Sequence, residues 1–408
     1  MPELRKILII GGGWSGLASA YWASRQAPSV KVVLLEKELS PLAWVDRKGL
    51  DAYPIGNARS EYRFGSVSDT GSKPVESTLL EQWPVPMNME WLDAFGIDLY
   101  EQNGEWRVSN LVELRRKLLS ALQERAVEIQ TEFSVESVSV QPDGTFRVWS
   151  RNGDVVTGSR MLMATGGERN HGLKLAGEFG LPVRPPIAAF LRLRLASPKF
   201  GARMGPLSRE VRLRCLKSGE ESLGKLLVSA RGMEGGAVSQ LSWALADKWN
   251  QLRHRLALEV DWIPRRTGGD VLKELLSQSE RGGRRRIGAE PLFGFPQRSW
   301  EAFLTDARVN PDDLWVRMKT KKLQALANRL KASRLNIDGA GLPAQERAWF
   351  GGVDAADLDP ASLEFKPVPG LYFAGEILDM RGPPKGGLQN LIWASAHVAG
   401  CSIGLFKE

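Results

Sequence analysis

The chain has 408 residues, 43% of them hydrophobic and 25% charged, which suits a globular protein and is too apolar for wholesale disorder. No apolar run approaches the roughly 18 residues that span a bilayer, and two cysteines, Cys215 and Cys401, make neither a disulfide framework nor a zinc cluster. The formal charge of +8 is unevenly spread: residues 1–180 carry 20 basic and 23 acidic side chains, 181–334 carry 30 and 15, and 335–408 carry 5 and 9, so a mildly acidic frame encloses a basic insert.

The N-terminal Met-Pro-Glu-Leu-Arg-Lys runs straight into a strand-like Ile7–Ile10, which fits no signal peptide and makes a cytoplasmic location the expectation. Ile7–Ile10, the turn Gly11–Gly16, an Ala-rich helix over Leu17–Arg25 and a second apolar run at Val30–Leu35 form one βαβ unit. Residues 41–80 read as irregular. Leu111, Leu114, Leu118 and Leu122 predict a helix over 111–125. Ile129–Val140, Thr145–Trp149 and Val155–Val156 read as strands, with Asp143-Gly144 and Asn152-Gly153 as hairpin turns. Met161–Ala164 is a short buried strand. The pattern changes at Arg184-Pro185-Pro186. Phe190–Leu195 and Glu210–Leu216 then alternate apolar residues with arginine, and 270–334 is mostly helical. Leu371–Ala374 is again a buried strand, and 389–405 a closing helix.

Gly11, Gly13 and Gly16 satisfy G-x-G-x-x-G between strand and helix. One glycine permits the tight turn, one lets the backbone approach a pyrophosphate, and one allows close helix–sheet packing. Glu36, 20 residues after Gly16, closes the second strand with a carboxylate suited to ribose hydroxyls. A glycine-rich turn alone can be structural; strand, turn, helix, strand and acid in this order favour a dinucleotide. A second set of motifs separates FAD from NAD. Thr165-Gly166-Gly167 and Gly370–Glu376 end two strands, and the acid-tipped Gly375-Glu376 suits the ribitol and pyrophosphate of an extended FAD. Gly386-Gly387-Leu388-Gln389-Asn390 opens the last helix, whose N–H groups suit the flavin N1 and C2 carbonyl.

On these residues the chain resembles the flavoprotein family that includes BaiN-like and aminoacetone-oxidase-type enzymes. Gly351-Gly352-Val353, Leu371–Asp379, Gly386-Gly387 and Ala399-Gly400 follow its C-terminal signature, and Gly224–Ser242 resembles its mid-chain segment. The resemblance implies an α/β fold: a three-layer Rossmann-like FAD-binding domain (1–180 and 345–408) interrupted by a β-barrel-like domain (181–264 and 335–344) and a small helical domain (265–334). It implies FAD contacts at Gly11, Gly13, Gly16, Glu36, Thr165, Gly375 and Glu376, with Gly166 beside them and Val135 meeting adenine through its backbone. Arg47-Lys48 and Gly56-Asn57-Ala58-Arg59-Ser60 are similar to a family motif beside the cofactor. Ala58, Ser60 and Glu61 stand where the family has glycine, cysteine and asparagine, and the loop after Gly167 is shorter than the family's. These departures bear on the substrate more than on FAD.

Several residues carry both a chemical and a plain reading. Arg59 would orient flavin or an anionic substrate, or form a surface ion pair. Ser60 is a weak acid unless activated. His171 would act as acid or base, or sit in a loop. Asp379 would reach the cofactor, or cap a loop. His254 and His397 read as structural, Cys215 and Cys401 as ordinary thiols. Nothing has metal-ligand spacing. Arg265, Arg266, Arg281, Arg284, Arg285 and Arg286 are a polyanion surface or a solvated basic face.

The expectation is an FAD-dependent oxidoreductase with hydride transfer at flavin N5, acting on a small molecule or on RNA and not on a membrane. Reducing equivalents would come from the substrate, a transiently bound NAD(P)H or a partner protein, since one dinucleotide fold is evident. Two alternatives are a flavin-dependent RNA uracil reductase, resembling the dihydrouridine-forming branch of the family, and a non-catalytic flavin- or RNA-binding protein.

Overall fold

The structure, a computed structural model, describes residues 5–43, 45, 53–56, 75–102, 105–167, 170–188, 191–229, 232–252, 255–281, 283–341, 349–381 and 387–406. It divides into two compact units, Met1–Ile187 with Trp349–Glu408, and Ala188–Ala348.

The first unit is built on a five-stranded parallel sheet in the order Leu371–Phe373, Arg160–Met163, Lys6–Ile10, Lys31–Leu35, Glu128–Gln130. The central strands are nearly unbroken apolar runs, as strands covered on both faces must be, and Ile7, Leu8, Ile9 and Leu34 are wholly buried. The helix Trp14–Gln26 returns the chain from the first strand to the second. The last helix, Gly387–Gly404, lies against it at glycine-limited distance. A Cβ on Gly400 would stand 2.7 Å from the Ser19 carbonyl oxygen, and the Ser19 hydroxyl donates to the Ala396 carbonyl at 3.2 Å. Three further small sheets complete this unit: a meander of Val135–Val140, Phe146–Ser150 and Val155–Gly158, a sheet of Tyr53–Gly56, Glu105–Val108 and Leu99–Gln102, and the pair Val183–Ala188 with Trp349–Val353.

The second unit contains a closed six-stranded barrel in the order Arg192–Leu195, Gly232–Glu234, Glu221–Ser229, Leu207–Cys215, Leu256–Asp261, Ser333–Gly341. Alternation sends Leu193, Val211, Leu213, Cys215, Leu226, Leu258 and Val260 inward at 0% exposure, while Arg194, Arg212 and Arg214 stay outside. The helices Gly268–Arg281, Gln297–Asp306 and Thr320–Lys331 contribute Leu275, Trp300, Phe303, Leu323 and Leu330 to the same hydrophobic cluster. Barrel and helices therefore share one core, where the sequence suggested two domains divided at 265 and 335. The residues up to Ile187 belong to the first unit rather than to the insert.

Two sequence expectations change. The stretch read as irregular contains the strand Tyr53–Gly56 and the start of the helix Val75–Gln82. Buried side chains in that helix are Glu76 and Leu79 alone among the described residues, too few to show a helical period. The single run Ile129–Val140 is two strands in different sheets, separated where Glu132 turns to φ +57°. No helix among the described residues is long and apolar enough to cross a membrane.

Candidate cofactor site

The glycine loop is set by close approach. Gly11 has φ +107°, and a Cβ there would stand 2.4 Å from the Ala164 carbonyl oxygen. A Cβ on Gly16 would stand 1.8 Å from the Gly11 carbonyl oxygen. Both glycines are thus required by the protein's own packing. Gly13 differs: among the described residues nothing lies within 4 Å of where its Cβ would be. Gly13 is also the N-cap of the 13-residue helix, and no side chain caps it. The loop therefore leaves a helix N-terminus beside open space, the arrangement that receives a phosphate.

Glu36 ends the second strand at 7% exposure. Its Oε2 accepts from the Gly12 N–H at 2.5 Å and its Oε1 from the Glu38 N–H at 2.8 Å. Those bonds fix the carboxylate at the loop, and each oxygen retains a lone pair for a hydroxyl donor. Parallel pairing of Ile10 with Met163 and of Met163 with Phe373 carries two more strand ends to the same edge. Thr165 follows the first of these. Its hydroxyl is buried against Gly172 of the helix Asn170–Glu178 and has no hydrogen-bond partner among the described residues, and its Cα lies 3.3 Å from the position of a Gly11 Cβ. Gly166 adopts φ +74°, and among the described residues nothing lies within 4 Å of where its Cβ would be.

Gly375 follows the second strand end, at φ +82°, with its N–H donated to Ser395 Oγ at 2.9 Å. A Cβ there would stand 2.3 Å from Ser15 Oγ, so Gly375 packs directly on the first turn of the glycine-loop helix. The Glu376 carbonyl lies 2.7 Å from the position of a Gly167 Cβ, which joins these two strand-end motifs. Gly387, Gln389 and Asn390 form the buried first turn of the last helix. Ser15 and Ser395 were not visible as site residues in the sequence; their roles come from packing across the chain.

Other expected residues are placed differently. His171 lies in the helix Asn170–Glu178, and its Nε2 is 2.6 Å from the Val135 carbonyl oxygen. The two residues expected at opposite ends of the chemistry, a catalytic histidine and an adenine contact, are thus bonded to each other. Asp379 accepts from the Gly351 N–H at 2.9 Å and pairs with Arg184 at 2.9 Å. These bonds account for its burial as a tie between the strand-pair region and the cofactor strand. Arg47, Lys48, Asn57, Arg59, Ser60 and His254 lie outside the described residues.

His397 stacks on Trp83 with ring centroids 3.7 Å apart and meets Trp22 edge-on at 4.5 Å. Burial pushes its pKa down to about 4, with the Arg25 charge acting the same way. Cys401 Sγ lies 3.8 Å from His397 Nδ1, and burial pushes its thiol up to about 11. A neutral imidazole and a protonated thiol suit a structural pair. Cys215 is in the barrel core.

In the second unit, Arg265 pairs with Glu210 at 2.8 Å, Arg285 with Glu290 at 2.6 Å and Arg286 with Asp312 at 3.0 Å. Arg266 lies over the Phe293 ring at 5.4 Å. Arg281 and Arg284 are exposed and form no ion pair among the described residues. By charge alone the six arginines are equivalent; the structure leaves two of them uncommitted.

The fold and the glycine-loop site define a Rossmann-type FAD-binding protein carrying an inserted barrel. The chain matches the HI0933-like protein Rossmann domain over residues 5–402 and belongs to that family. It is 23% identical over 414 residues to the 3-dehydro-bile acid delta(4,6)-reductase of Clostridium scindens, covering 97% of this chain and 98% of that one. It is 26% identical over 327 residues to the ribosomal RNA dihydrouridine synthase of Escherichia coli, covering 76% and 78%. Among solved structures it is similar to the 3-ketosteroid-delta4-(5alpha)-dehydrogenase of Rhodococcus jostii, at 12% identity and a TM-score of 0.49 over 98% of this chain and 97% of that one.

Proposed function

We propose that this protein is an FAD-dependent oxidoreductase acting on an acceptor of unidentified structure. The observation that carries the reading is a glycine loop at a helix N-terminus without a side-chain cap, with Gly13 clear of the other described residues and the Glu36 carboxylate fixed on the Gly12 N–H. Gly11, Gly13, Gly16 and the helix N-terminus would hold the pyrophosphate, Glu36 the adenosine ribose, and Thr165, Gly166, Gly375 and Glu376 the ribitol side. Val135, with its carbonyl on His171, would border the adenine, and Gly387, Gln389 and Asn390 the flavin. When bound, FAD supplies hydride transfer at N5. The chain's own part is to bind, to orient, and to present N–H donors from the last helix where negative charge develops on reduction. The names of the two relatives denote a reductase and an enzyme forming a dihydro-base, and on that ground we assign the reductive direction to this chain. NAD(P)H, bound transiently, would then be the electron source.

The test is anaerobic. Reduced holoprotein is mixed separately with a metabolite extract and with total RNA, and reoxidation is followed by flavin absorbance. Reoxidation by the metabolite extract supports a small-molecule acceptor; reoxidation by neither pool refutes the oxidoreductase reading.

A second reading, RNA as substrate, is favoured by one observation. Residues 188–348 carry 30 basic and 17 acidic side chains, and Arg281 and Arg284 are exposed without ion pairs among the described residues. Reoxidation by RNA, with affinity falling as salt rises, would select it.

A further inference from the structure

At the first turn of the last helix lies a buried chain of polar groups, Trp83, Asn88 and Asn390, of which the sequence singled out Asn390 alone. Trp83 Nε1–H donates to Asn88 Oδ1 at 2.6 Å, and Asn88 Nδ2 donates to Asn390 Oδ1. Asn88 and Asn390 are 0% exposed and Trp83 is 5% exposed. Asn390 Nδ2 has no hydrogen-bond partner among the described residues.

The orientation of both amides follows from chemistry rather than from coordinates. The ends of an asparagine amide are told apart by their partners. An indole N–H can only donate, so the atom of Asn88 facing it must be the oxygen. The other end of Asn88 is then its NH2, which forces the facing atom of Asn390 to be oxygen as well. The second end of Asn390 is therefore an NH2, buried and unanswered, on the helix turn expected to border flavin. Trp83 is itself clamped, stacked on His397 at 3.7 Å and edge-on to Trp22 at 5.2 Å. The donor that starts the chain thus has little freedom to turn away.

We infer that Asn390 donates from this NH2 to the acceptor edge of the flavin pyrimidine ring, and that Asn88 is a positioning residue that holds the amide donor-side out, its own orientation set by Trp83. The inference rests on the FAD reading above and goes beyond it by assigning roles to Asn88 and Trp83. A donor at this edge stabilises the negative charge that reduction brings, so it raises the flavin's reduction potential as well as its affinity. Removing the donor, or freeing it to rotate, lowers both.

The test compares wild type with Asn390→Leu, Asn88→Leu and Trp83→Phe. FAD is titrated into each apoprotein, and the potential of bound FAD is measured against reference dyes. Asn390→Leu is expected to weaken FAD binding about five- to tenfold, the scale of one hydrogen bond, and to make the potential more negative. Asn88→Leu and Trp83→Phe should shift affinity and potential in the same directions. Wild type that binds no FAD overturns the FAD reading itself. Wild type that binds FAD, with an unmoved potential in Asn390→Leu, overturns the donor assignment alone. A moved potential in Asn390→Leu with none in the other two overturns the positioning role. Weakened binding at constant potential also counts against the inference, because poorer packing would do that. If Asn88→Leu does not fold, Trp83→Phe carries the same readouts with its ring retained against His397.

Discussion

The glycine loop offers a paired experiment, because Gly13 and Gly16 differ in what surrounds them. In Gly16→Ala the new Cβ would meet the Gly11 carbonyl oxygen at 1.8 Å, and that partner is backbone, not the end of a flexible side chain that could swing aside. The backbone must move by more than about 1 Å. Overpacking of this kind costs about 3 kcal/mol, and at roughly 2–4 °C per kcal/mol for a unit of this size the melting midpoint of the apoprotein should fall by about 6–12 °C. In Gly13→Ala the Cβ enters open space. The poorer N-cap and the stiffer unfolded chain offset each other to within about 1 kcal/mol, so the midpoint should move by under about 4 °C. FAD affinity should nevertheless fall at least about tenfold, or 1.4 kcal/mol, because the methyl group occupies the space the pyrophosphate needs. Thermal melts of both apoproteins and FAD titration of Gly13→Ala decide the matter. Equal melting losses in the two variants, or full FAD affinity in Gly13→Ala, would refute this division of roles.

Three further outcomes are expected. Glu36→Ala leaves the Gly12 and Glu38 N–H groups without their acceptor, and should cost about 2–4 kcal/mol in a urea titration of the apoprotein; a loss below about 0.5 kcal/mol would mean the carboxylate does not hold the loop. The folded pKa of His397, about 4, lies below its ordinary 6.5, so the unfolded chain takes the proton first. Stability is level above about pH 6.5 and is lost as pH falls to about 4, by about 1–2 kcal/mol after solvent screening at this half-buried ring. His397→Phe should remove that increment from the pH profile, and an identical profile would contradict the neutral, stacked imidazole. If RNA is bound, Arg281→Ala with Arg284→Ala should flatten the slope of log K against log salt by about 0.7 for each phosphate left unneutralised; an unchanged slope removes those arginines from the interface.

The parts of the site that were legible in sequence are those fixed within one element or one turn. The apolar run Ile7–Ile10, the three glycines and Glu36 belong to a single βαβ unit, so their spacing carries their geometry. Asn88 was not legible. Its helix, Val85–Ala94, begins after Pro84, carries Pro86 in its first turn and has no side-chain cap, so neither period nor cap announces it. Its partner Asn390 is 302 residues away. Asp379 shows the same limit: a carboxylate near a cofactor strand suggests a ligand, and its engagement by Arg184, 195 residues distant, appears only in the fold. Alternation marked two of the six barrel strands, Phe190–Leu195 and Glu210–Leu216, and it could not show that the following helices would close over the same core, because that depends on which apolar faces meet.

The central claim is tested most directly by loading the purified protein with FAD and measuring bound flavin per chain. The account predicts one tightly held FAD, visible as absorbance near about 450 nm that survives gel filtration. It also predicts loss of that absorbance in Gly13→Trp, whose side chain fills the space beside the loop, with folding retained. A protein that stays colourless after reconstitution, or a Gly13→Trp variant that holds FAD as well as wild type, would contradict it.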